Sequence, residues 1–347
     1  MPFKTVLAFL YGIGVRLRVQ GYRRGLFRSH QLSRPVISVG NLTLGGTGKT
    51  PYVAYLARLL QEARYQPAVL SRGYRGTAER SGTLVSDGEN LLCDVTRAGD
   101  EPYLLARTLT GVPVAVGRDR YRSGRLIEKK FSQPILILDD GYQHLALKRN
   151  LNILLLDGTD PFGGGCLIPE GRLREPLEAI SRADLIVVTR SHLPIDVDRI
   201  EITVRRFNRI VPIAYFYHDA VGVWDLRDGS SFDLRQFLGR KMLAMAAIGH
   251  PKIFLHDLAH YQIQVVAKRL FRDHHNFTQP ELDRALQEAT EAGAEGIITT
   301  EKDAVRLERL SFGANQIFVF RIEAMPEEPK DYRRFLLGEV EGLPAPR

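Results

Sequence analysis

The sequence predicts an α/β protein with a doubly wound, mostly parallel sheet, a second smaller α/β lobe and an N-terminal amphipathic helix. Short runs rich in Val, Ile and Leu alternate with helix-length segments, which is the order of repeated βαβ units. Several runs are continuously apolar, as expected for strands buried on both faces. In the first part of the chain the predicted strands are Pro35–Gly40, Ala68–Ser71, Val112–Gly117, Pro134–Asp140, Leu151–Asp157 and Asp184–Thr189, and the predicted helix after the first strand is Val53–Ala63.

The pattern changes after about residue 205. Ile213–Tyr217 and Val221–Trp224 read as a hairpin or a connector, and the tail from Met325 reads as irregular. A second set of strands and a helix follows the connector, at Met242–Ile248, Gln262–Ala267, Pro280–Ala292, Gly296–Thr300 and Gln316–Phe320. We therefore predict four parts: a basic helix at 1–30, a first domain at 31–205, a connector at 206–225 and a second lobe at 226–347.

Charge is concentrated at the N-terminus. The chain of 347 residues has a net charge of +8, yet residues 1–61 contain nine Lys and Arg and no acid. Phe3, Leu7, Leu10 and Leu17 recur at helical spacing beside these arginines, which favours a helix lying in a membrane interface with its basic side toward lipid phosphates. The apolar run is too short to span a bilayer. A helix packed on the protein's own core and a mitochondrial transit peptide are the alternatives.

The strongest motif is the glycine-rich segment 39–50, which a strand enters and a helix leaves. This is the context of a P-loop, so the fold is predicted to be of the P-loop NTPase type. Backbone N–H groups of such a loop surround phosphate oxygens, a lysine reaches the β- and γ-phosphates and a hydroxyl binds Mg²⁺. The predicted nucleotide-binding residues are Thr43, Leu44, Gly45, Gly46, Thr47, Gly48, Lys49 and Thr50, with Thr43 where the usual pattern has glycine. ATP and Mg²⁺ are the expected cofactors.

An apolar strand, 135–138, delivers two carboxylates at its end, Asp139 and Asp140. In this architecture that end lies beside the phosphate loop. We expect Thr50, Asp139 and Asp140 to form the metal site, with the division of roles between the two acids open. Lone Cys93 and Cys166 lack metal-type spacing.

Five further segments in this order are distinctive: 71–76, 139–144, 161–176, 248–251 and 300–305. Taken together they resemble the tetraacyldisaccharide 4′-kinase family of bacterial lipid A biosynthesis over most of the chain. The resemblance implies transfer of the γ-phosphate of ATP to the 4′-hydroxyl of a tetraacylated glucosamine disaccharide 1-phosphate. It also implies a peripheral enzyme at the cytoplasmic face of the inner membrane, with an anionic glycolipid as partner.

The resemblance implies that Asp100 is catalytic and that a second-lobe histidine, His274, pairs with it, although His275 lies beside it. A base that takes the proton of a sugar hydroxyl suits this chemistry. Lys49 is the third expected catalytic residue. The alternative for Asp100 is a helix N-cap, since Asp100-Glu101-Pro102 also opens a plausible helix. Weaker candidates for substrate binding are Arg72, Tyr74, His144, Arg172 and Arg174.

Other classes of protein fit less well. A membrane-partitioning or regulatory P-loop ATPase shares the loop and the basic helix, but Leu44 stands where such proteins carry a lysine. A GTPase switch lacks its base-reading motif here, and a pure lipid-binding module needs neither the loop nor the paired acids. A nucleic-acid partner is disfavoured because the basic segment lacks interleaved aromatics. No obligate protein partner is inferred.

Overall fold

The computed structural model describes residues 3–343, in which helices and strands alternate. The helices are α1 Phe3–Arg23, α2 Lys49–Glu62, α3 Val95–Ala98, α4 Asp100–Thr108, α5 Arg120–Lys130, α6 Val197–Phe207, α7 Pro251–His260, α8 Gln279–Glu291, α9 Glu301–Leu307 and α10 Pro329–Glu341. The strands are β1 Val36–Asn41, β2 Gln66–Ser71, β3 Thr83–Ser86, β4 Val114–Val116, β5 Pro134–Leu138, β6 Leu151–Asp157, β7 Leu185–Thr189, β8 Ile213–Asp225, β9 Ser231–Phe232, β10 Lys241–Ala246, β11 Gln264–Leu270, β12 Ile297–Thr300 and β13 Ile317–Pro326. Residues 1–2 and 344–347, at the ends of the predicted ranges 1–30 and 226–347, lie outside the described residues.

The chain forms two compact units. The first contains the residues up to 218 and those from 324 onward, and the second contains residues 219–323. The chain thus returns to the first unit through α10, where the sequence predicted an irregular tail. That prediction was wrong because Tyr332, Leu336 and Val340 recur at helical spacing and are buried.

The sheet of the first unit has the order β8-β7-β6-β1-β5-β2-β4-β3, and its pairs are parallel except for β3 with β4. All six residues of β1 are buried between neighbours on both edges. The carboxyl ends of β1, β5, β6 and β7 therefore meet at one edge, where ligands bind in open α/β sheets. The predicted α/β fold with a mostly parallel sheet is confirmed.

The second unit has parallel strands in the order β11-β10-β12-β13. Leu243 and Met245 of β10 pack with α8 and α9, whereas Met242 and Ala244 face a cluster that includes Phe254 of α7. Both faces of β10 are therefore covered. The hairpin or connector predicted around 213–224 is instead one continuous strand, β8, which pairs with β7 near its start and with β9 near its end.

Helix α1 buries only Ala8, Gly12 and Gly21 among its residues. Its polar groups bond to the first unit, for example from Tyr11 Oη to the Arg174 carbonyl at 2.8 Å and from Arg18 to the Gln143 carbonyl at 3.0 Å. Its large apolar side chains are exposed: Phe3, Val6, Leu7, Phe9, Leu10, Ile13 and Leu17. Within residues 3–343, no helix combines the length and apolarity that a membrane span requires.

Candidate active site

The glycine-rich loop joins β1 to α2, so the strand–loop–helix context predicted for it is present. Gly48 precedes the helix with a φ of 71°, in the left-handed region that favours glycine. A Cβ atom there would also lie 2.8 Å from the His218 ring, so the position has no room for a side chain. The first N–H groups of α2 have no partners within the helix and are available to an anion.

The segment 162–176 lies directly against this loop. The Leu44 N–H donates to the Arg172 carbonyl at 2.7 Å, and the Arg174 N–H donates to the Leu42 carbonyl at 2.7 Å. Gly163 is equally close, since a Cβ there would lie 2.9 Å from Thr43 Cγ2. The segment therefore forms one wall of the loop.

Lys49 and Asp140 are joined at the centre of the site. Lys49 Nζ donates to Asn41 Oδ1 at 3.1 Å and lies 3.4 Å from Asp140 Oδ1. Arg174 contacts both oxygens of the same carboxylate, at 3.0 and 3.1 Å. Although burial alone would raise the pKa of Asp140, the charges of Lys49 and Arg174 hold it below its usual range. Asp140 is therefore ionised at neutral pH.

Asp139 has a different environment. Its side chain is buried and accepts a hydrogen bond of 2.9 Å from the Ser71 hydroxyl. Burial, followed by the nearby charges of Glu101 and Asp140, raises the pKa of Asp139 to about 7. A bound cation would stabilise the ionised form of a carboxylate that is buried beside other acids. No group of three or more His, Cys, Asp or Glu within residues 3–343 forms a complete metal cage. A hydroxyl with one or two carboxylates still fits Mg²⁺, which keeps waters and takes phosphate oxygens as its other ligands.

Asp100 lies at the first position of α4, and the N-cap is Gly99 with a φ of 85°. The alternative of Asp100 as an N-cap is therefore wrong. The segment that carries Arg72 and Tyr74 packs on this turn, since a Cβ at Gly99 would lie 2.7 Å from the Tyr74 carbonyl. The charge of Glu101, the next residue of α4, contributes to the raised pKa of Asp139. The first turn of α4 thus lies near the paired acids.

Arg72 and His144, two of the weaker candidates for substrate binding, have defined surroundings in the structure. Arg72 pairs with Glu79 at 2.6 Å and lies over the Tyr74 ring, with 5.9 Å between the guanidinium carbon and the ring centre. Burial, followed by the charges of Arg120 and Arg149, lowers the pKa of His144 to about 4. His144 is therefore neutral at physiological pH.

In the second unit, the structure separates the two adjacent histidines. The His275 ring lies 3.0 Å from both oxygens of Glu281 and stacks on Phe271. His274 has a φ of 60°, and its ring nitrogens lie 3.2 Å from Lys302 Nζ and 3.0 Å from an Arg306 nitrogen. The partner of His275 is the acid of the α8 capping box, which gives His275 a structural role and makes His274 the better candidate for a functional role.

Comparison with known proteins places the chain in a family. The model of the tetraacyldisaccharide-1-P 4′-kinase family matches residues 2–341. The chain belongs to that family. Among its relatives is a tetraacyldisaccharide 4′-kinase of Geobacter metallireducens, 40% identical over 94% of each chain. A protein of the same name from Syntrophus aciditrophicus is 39% identical, over 97% of this chain and 93% of its own.

A solved relative supports the fold. The crystal structure of LpxK from Aquifex aeolicus in complex with ATP is 32% identical to this chain and superposes with a TM-score of 0.77. It covers 96% of this chain and 97% of its own. The family resemblance drawn from the motifs is thereby confirmed.

Sequence reasoning missed four residues around the site: Asn41, Glu101, Arg120 and Arg190. Arg120 is buried at the start of α5, and burial lowers its pKa while the charges of Asp140 and Asp139 oppose that shift. Arg190 follows β7, donates to the Gly46 carbonyl at 2.9 Å and pairs with Asp157. The signal available was position, since Asn41, Arg120 and Arg190 each lie within a few residues of a strand's carboxyl end.

Proposed function

We propose that this chain uses Mg²⁺ and ATP to phosphorylate the 4′-hydroxyl of a tetraacylated glucosamine disaccharide 1-phosphate at a membrane surface. Family membership carries the reaction, an ATP-dependent kinase step on a lipid A precursor. The observation that carries the site is the contact of Lys49 with Asp140, which joins the loop of β1 to the acids after β5. A lysine and an acid on neighbouring strands are the two halves of a P-loop phosphoryl-transfer centre.

The phosphates of ATP are proposed to lie in the loop Thr43–Thr50. The N–H groups of the loop and of the first turn of α2 face the anion, and the helix dipole adds a partial positive charge. Lys49 then moves from Asn41 and Asp140 onto the β- and γ-phosphates. The Asp140 carboxylate already holds two cations, so it is preorganised as an anion that binds positive charge.

Thr50, Asp139 and Asp140 are proposed to hold Mg²⁺. The raised pKa of Asp139 supports this, because burial and the two neighbouring acids disfavour its ionised form until a cation is present. When bound, Mg²⁺ neutralises charge on the β- and γ-phosphates.

Asp100 is proposed as the base that accepts the proton of the 4′-hydroxyl as the oxygen bonds to the γ-phosphorus and ADP departs. Its place at the start of α4, next to Glu101 and near Asp139, supports the role. His274 belongs to the second unit, so its pairing with Asp100 stays a prediction. A base in this position contributes about 10²–10⁴-fold to the rate.

The lipid is proposed to be reached from the cytoplasmic face of the bacterial inner membrane. The exposed apolar side chains of α1 and the arginines that follow them support a peripheral helix in the interface. Arg72, Tyr74, His144, Arg172 and Arg174 remain candidates for contact with the disaccharide and its 1-phosphate.

The test is transfer of label from γ-labelled ATP to tetraacyldisaccharide 1-phosphate in detergent micelles with Mg²⁺. Wild type should label the lipid, and Lys49→Ala and Asp100→Ala should each lose at least about 100-fold in rate. Lys148→Ala is the matched control, since within residues 3–343 the Lys148 side chain hydrogen-bonds only to Gln31, at 3.4 Å. Hydrolysis of ATP without labelled lipid would contradict the proposal and favour a partitioning ATPase.

A further inference from the structure

We infer that Thr189, Arg190 and Arg172 are positioning residues that orient the peptide groups of the phosphate loop for ATP. The inference rests on the proposed function, in which the loop binds the nucleotide. None of the three belongs to the loop motif itself. They come from the end of β7 and from the segment 162–176.

Each residue donates to a different carbonyl of the loop. Thr189 Oγ1 lies 3.0 Å from the Thr47 carbonyl and 3.3 Å from the Leu156 carbonyl of β6, so the loop carbonyl is the nearer acceptor of its single proton. An Arg190 nitrogen donates to the Gly46 carbonyl at 2.9 Å. The Arg172 guanidinium donates to the Leu44 carbonyl from Nε at 3.1 Å and from a terminal nitrogen at 2.8 Å. Three carbonyls of the loop are thus held by side chains outside it.

The geometry of the peptide group gives these bonds a consequence. In a planar trans peptide the C=O and the following N–H point in opposite directions. Carbonyls tied to Arg172, Arg190 and Thr189 therefore turn the N–H groups of Gly45, Thr47 and Gly48 to the opposite side. Those N–H groups form no backbone hydrogen bond outside helices and strands in the part of the chain that the structure describes. Successive N–H groups that point into one concavity form an anion site.

The support from β7 is rigid because it is built on the sheet. Thr189 is fully buried at the last position of β7. Arg190 is also buried, has a φ of 62° and pairs with Asp157 at the end of β6. An arginine held in the left-handed region is strained, and the paired charge and the bond to Gly46 hold it there. The loop is therefore ordered before ATP arrives, which lowers the entropic cost of binding.

Arg172 acts from the other side of the loop. Its guanidinium also pairs with Asp160 at 2.9 Å, which fixes the side chain although about a third of it is exposed. In this structure Arg172 therefore links Asp160 to the Leu44 carbonyl of the loop. This role differs from contact with the 1-phosphate of the lipid, and kinetics separate the two.

The first test compares Thr189→Val with Thr299→Val. Both threonines are fully buried near strand ends, but the Thr299 hydroxyl has no hydrogen-bond partner within residues 3–343. Valine therefore removes the contacts of the Thr189 hydroxyl with the Thr47 and Leu156 carbonyls in one variant, and no hydrogen bond in the other. We expect Thr189→Val to raise the KM for ATP by about fivefold, the effect of one neutral hydrogen bond, with little change in kcat and in the KM for lipid. Thr299→Val should match wild type.

Two arginine variants extend the test. Arg190→Lys keeps a positive charge near Asp157 but loses the planar fork, so the KM for ATP should rise about tenfold or more. Arg172→Met should also raise the KM for ATP. A rise confined to the KM for lipid would instead assign Arg172 to the substrate.

The outcomes distinguish this inference from the proposed function. If wild type transfers phosphate from ATP to the lipid but Thr189→Val and Arg190→Lys both keep its KM for ATP, the inference is wrong and the function stands. If wild type transfers no phosphate to the lipid, the proposed function fails. An equal change in Thr299→Val would show that core packing, and not the loop contact, controls nucleotide affinity, which also overturns the inference.

Discussion

Two histidines of the first unit are held in surroundings that oppose their protonation. Burial, followed by the charges of Arg190 and His192, lowers the pKa of His218 to about 3. The pKa of His144 is lowered to about 4. Unfolding restores ordinary values near 6.5, so the unfolded chain binds more protons below that pH. The free energy of unfolding should therefore fall as pH drops from 6.5 toward 4, by at most about 1.4 kcal/mol per pH unit for each group.

Urea denaturation at pH 7 and pH 4.5 measures this effect. His218→Gln should reduce the difference in unfolding free energy between the two pH values, because glutamine does not titrate. His256→Gln serves as control, since the His256 side chain is 56% exposed. An unchanged difference in His218→Gln would show that His218 is not the source of acid sensitivity.

Gly48 and Gly46 give a second prediction for single residues. Alanine at position 48 meets both a left-handed backbone and the His218 ring at 2.8 Å, whereas a Cβ at position 46 has no neighbour within 4 Å. We expect Gly48→Ala to lower the free energy of unfolding by about 1–3 kcal/mol and Gly46→Ala to leave it nearly unchanged. Chemical denaturation of the two variants measures this, and equal losses would contradict it.

Among the helices, α1 is the one that we expect to bind anionic membranes. Leu10 and Leu17 are 56% and 63% exposed, so glutamate at either site should not disturb the fold. Each change should weaken binding to vesicles of anionic lipid. It removes apolar area that would be buried in the membrane, and the added carboxylate is repelled by the anionic headgroups. Ile210→Glu is the control, since Ile210 is 91% exposed and lies outside α1. Binding is measured by sedimentation with vesicles. Equal binding by all variants would contradict the prediction that α1 lies in the membrane interface.

The elements also show how far sequence predicts fold. Strand β1 and helix α2 were predicted because continuous apolar residues and glycines mark them. Strand β3 was missed because it has only four residues and pairs antiparallel at the edge. Strand β8 was read as two pieces because Asp219 and Gly222 interrupt its apolar run. Burial of the helix α10 against the first unit likewise depends on contacts distant in sequence.

At the scale of the whole molecule, ATP should stabilise the fold by mass action. A ligand at 100 times its Kd adds about 2.7 kcal/mol to the free energy of unfolding. We therefore expect ATP with Mg²⁺ to raise the melting temperature of wild type by several degrees, and chelation of Mg²⁺ to reduce the rise. Lys49→Ala should show little rise. A shift of equal size in Lys49→Ala would place ATP away from the loop.

The site itself was only partly predictable, for a reason that concerns the whole molecule. Lys49, Thr50, Asp139 and Asp140 carry local motifs, so the sequence places them together. Arg190 carries no motif, and its contact with Gly46 follows from the order β7-β6-β1 of the sheet. Strand order is a property of the folded chain. The sequence likewise could not distinguish His274 from His275 as the functional residue, because the distinction depends on the contact of His275 with Glu281 in the folded chain.

The γ-phosphate of ATP is proposed to reach the 4′-hydroxyl of the lipid. The most direct measurement is correlated phosphorus and proton NMR of the lipid recovered after incubation with wild type, ATP and Mg²⁺. We expect a second phosphate monoester coupled to the proton at C4′, which should be absent after incubation with Lys49→Ala. An unchanged lipid, or new phosphate attached to the 1-phosphate, would contradict it.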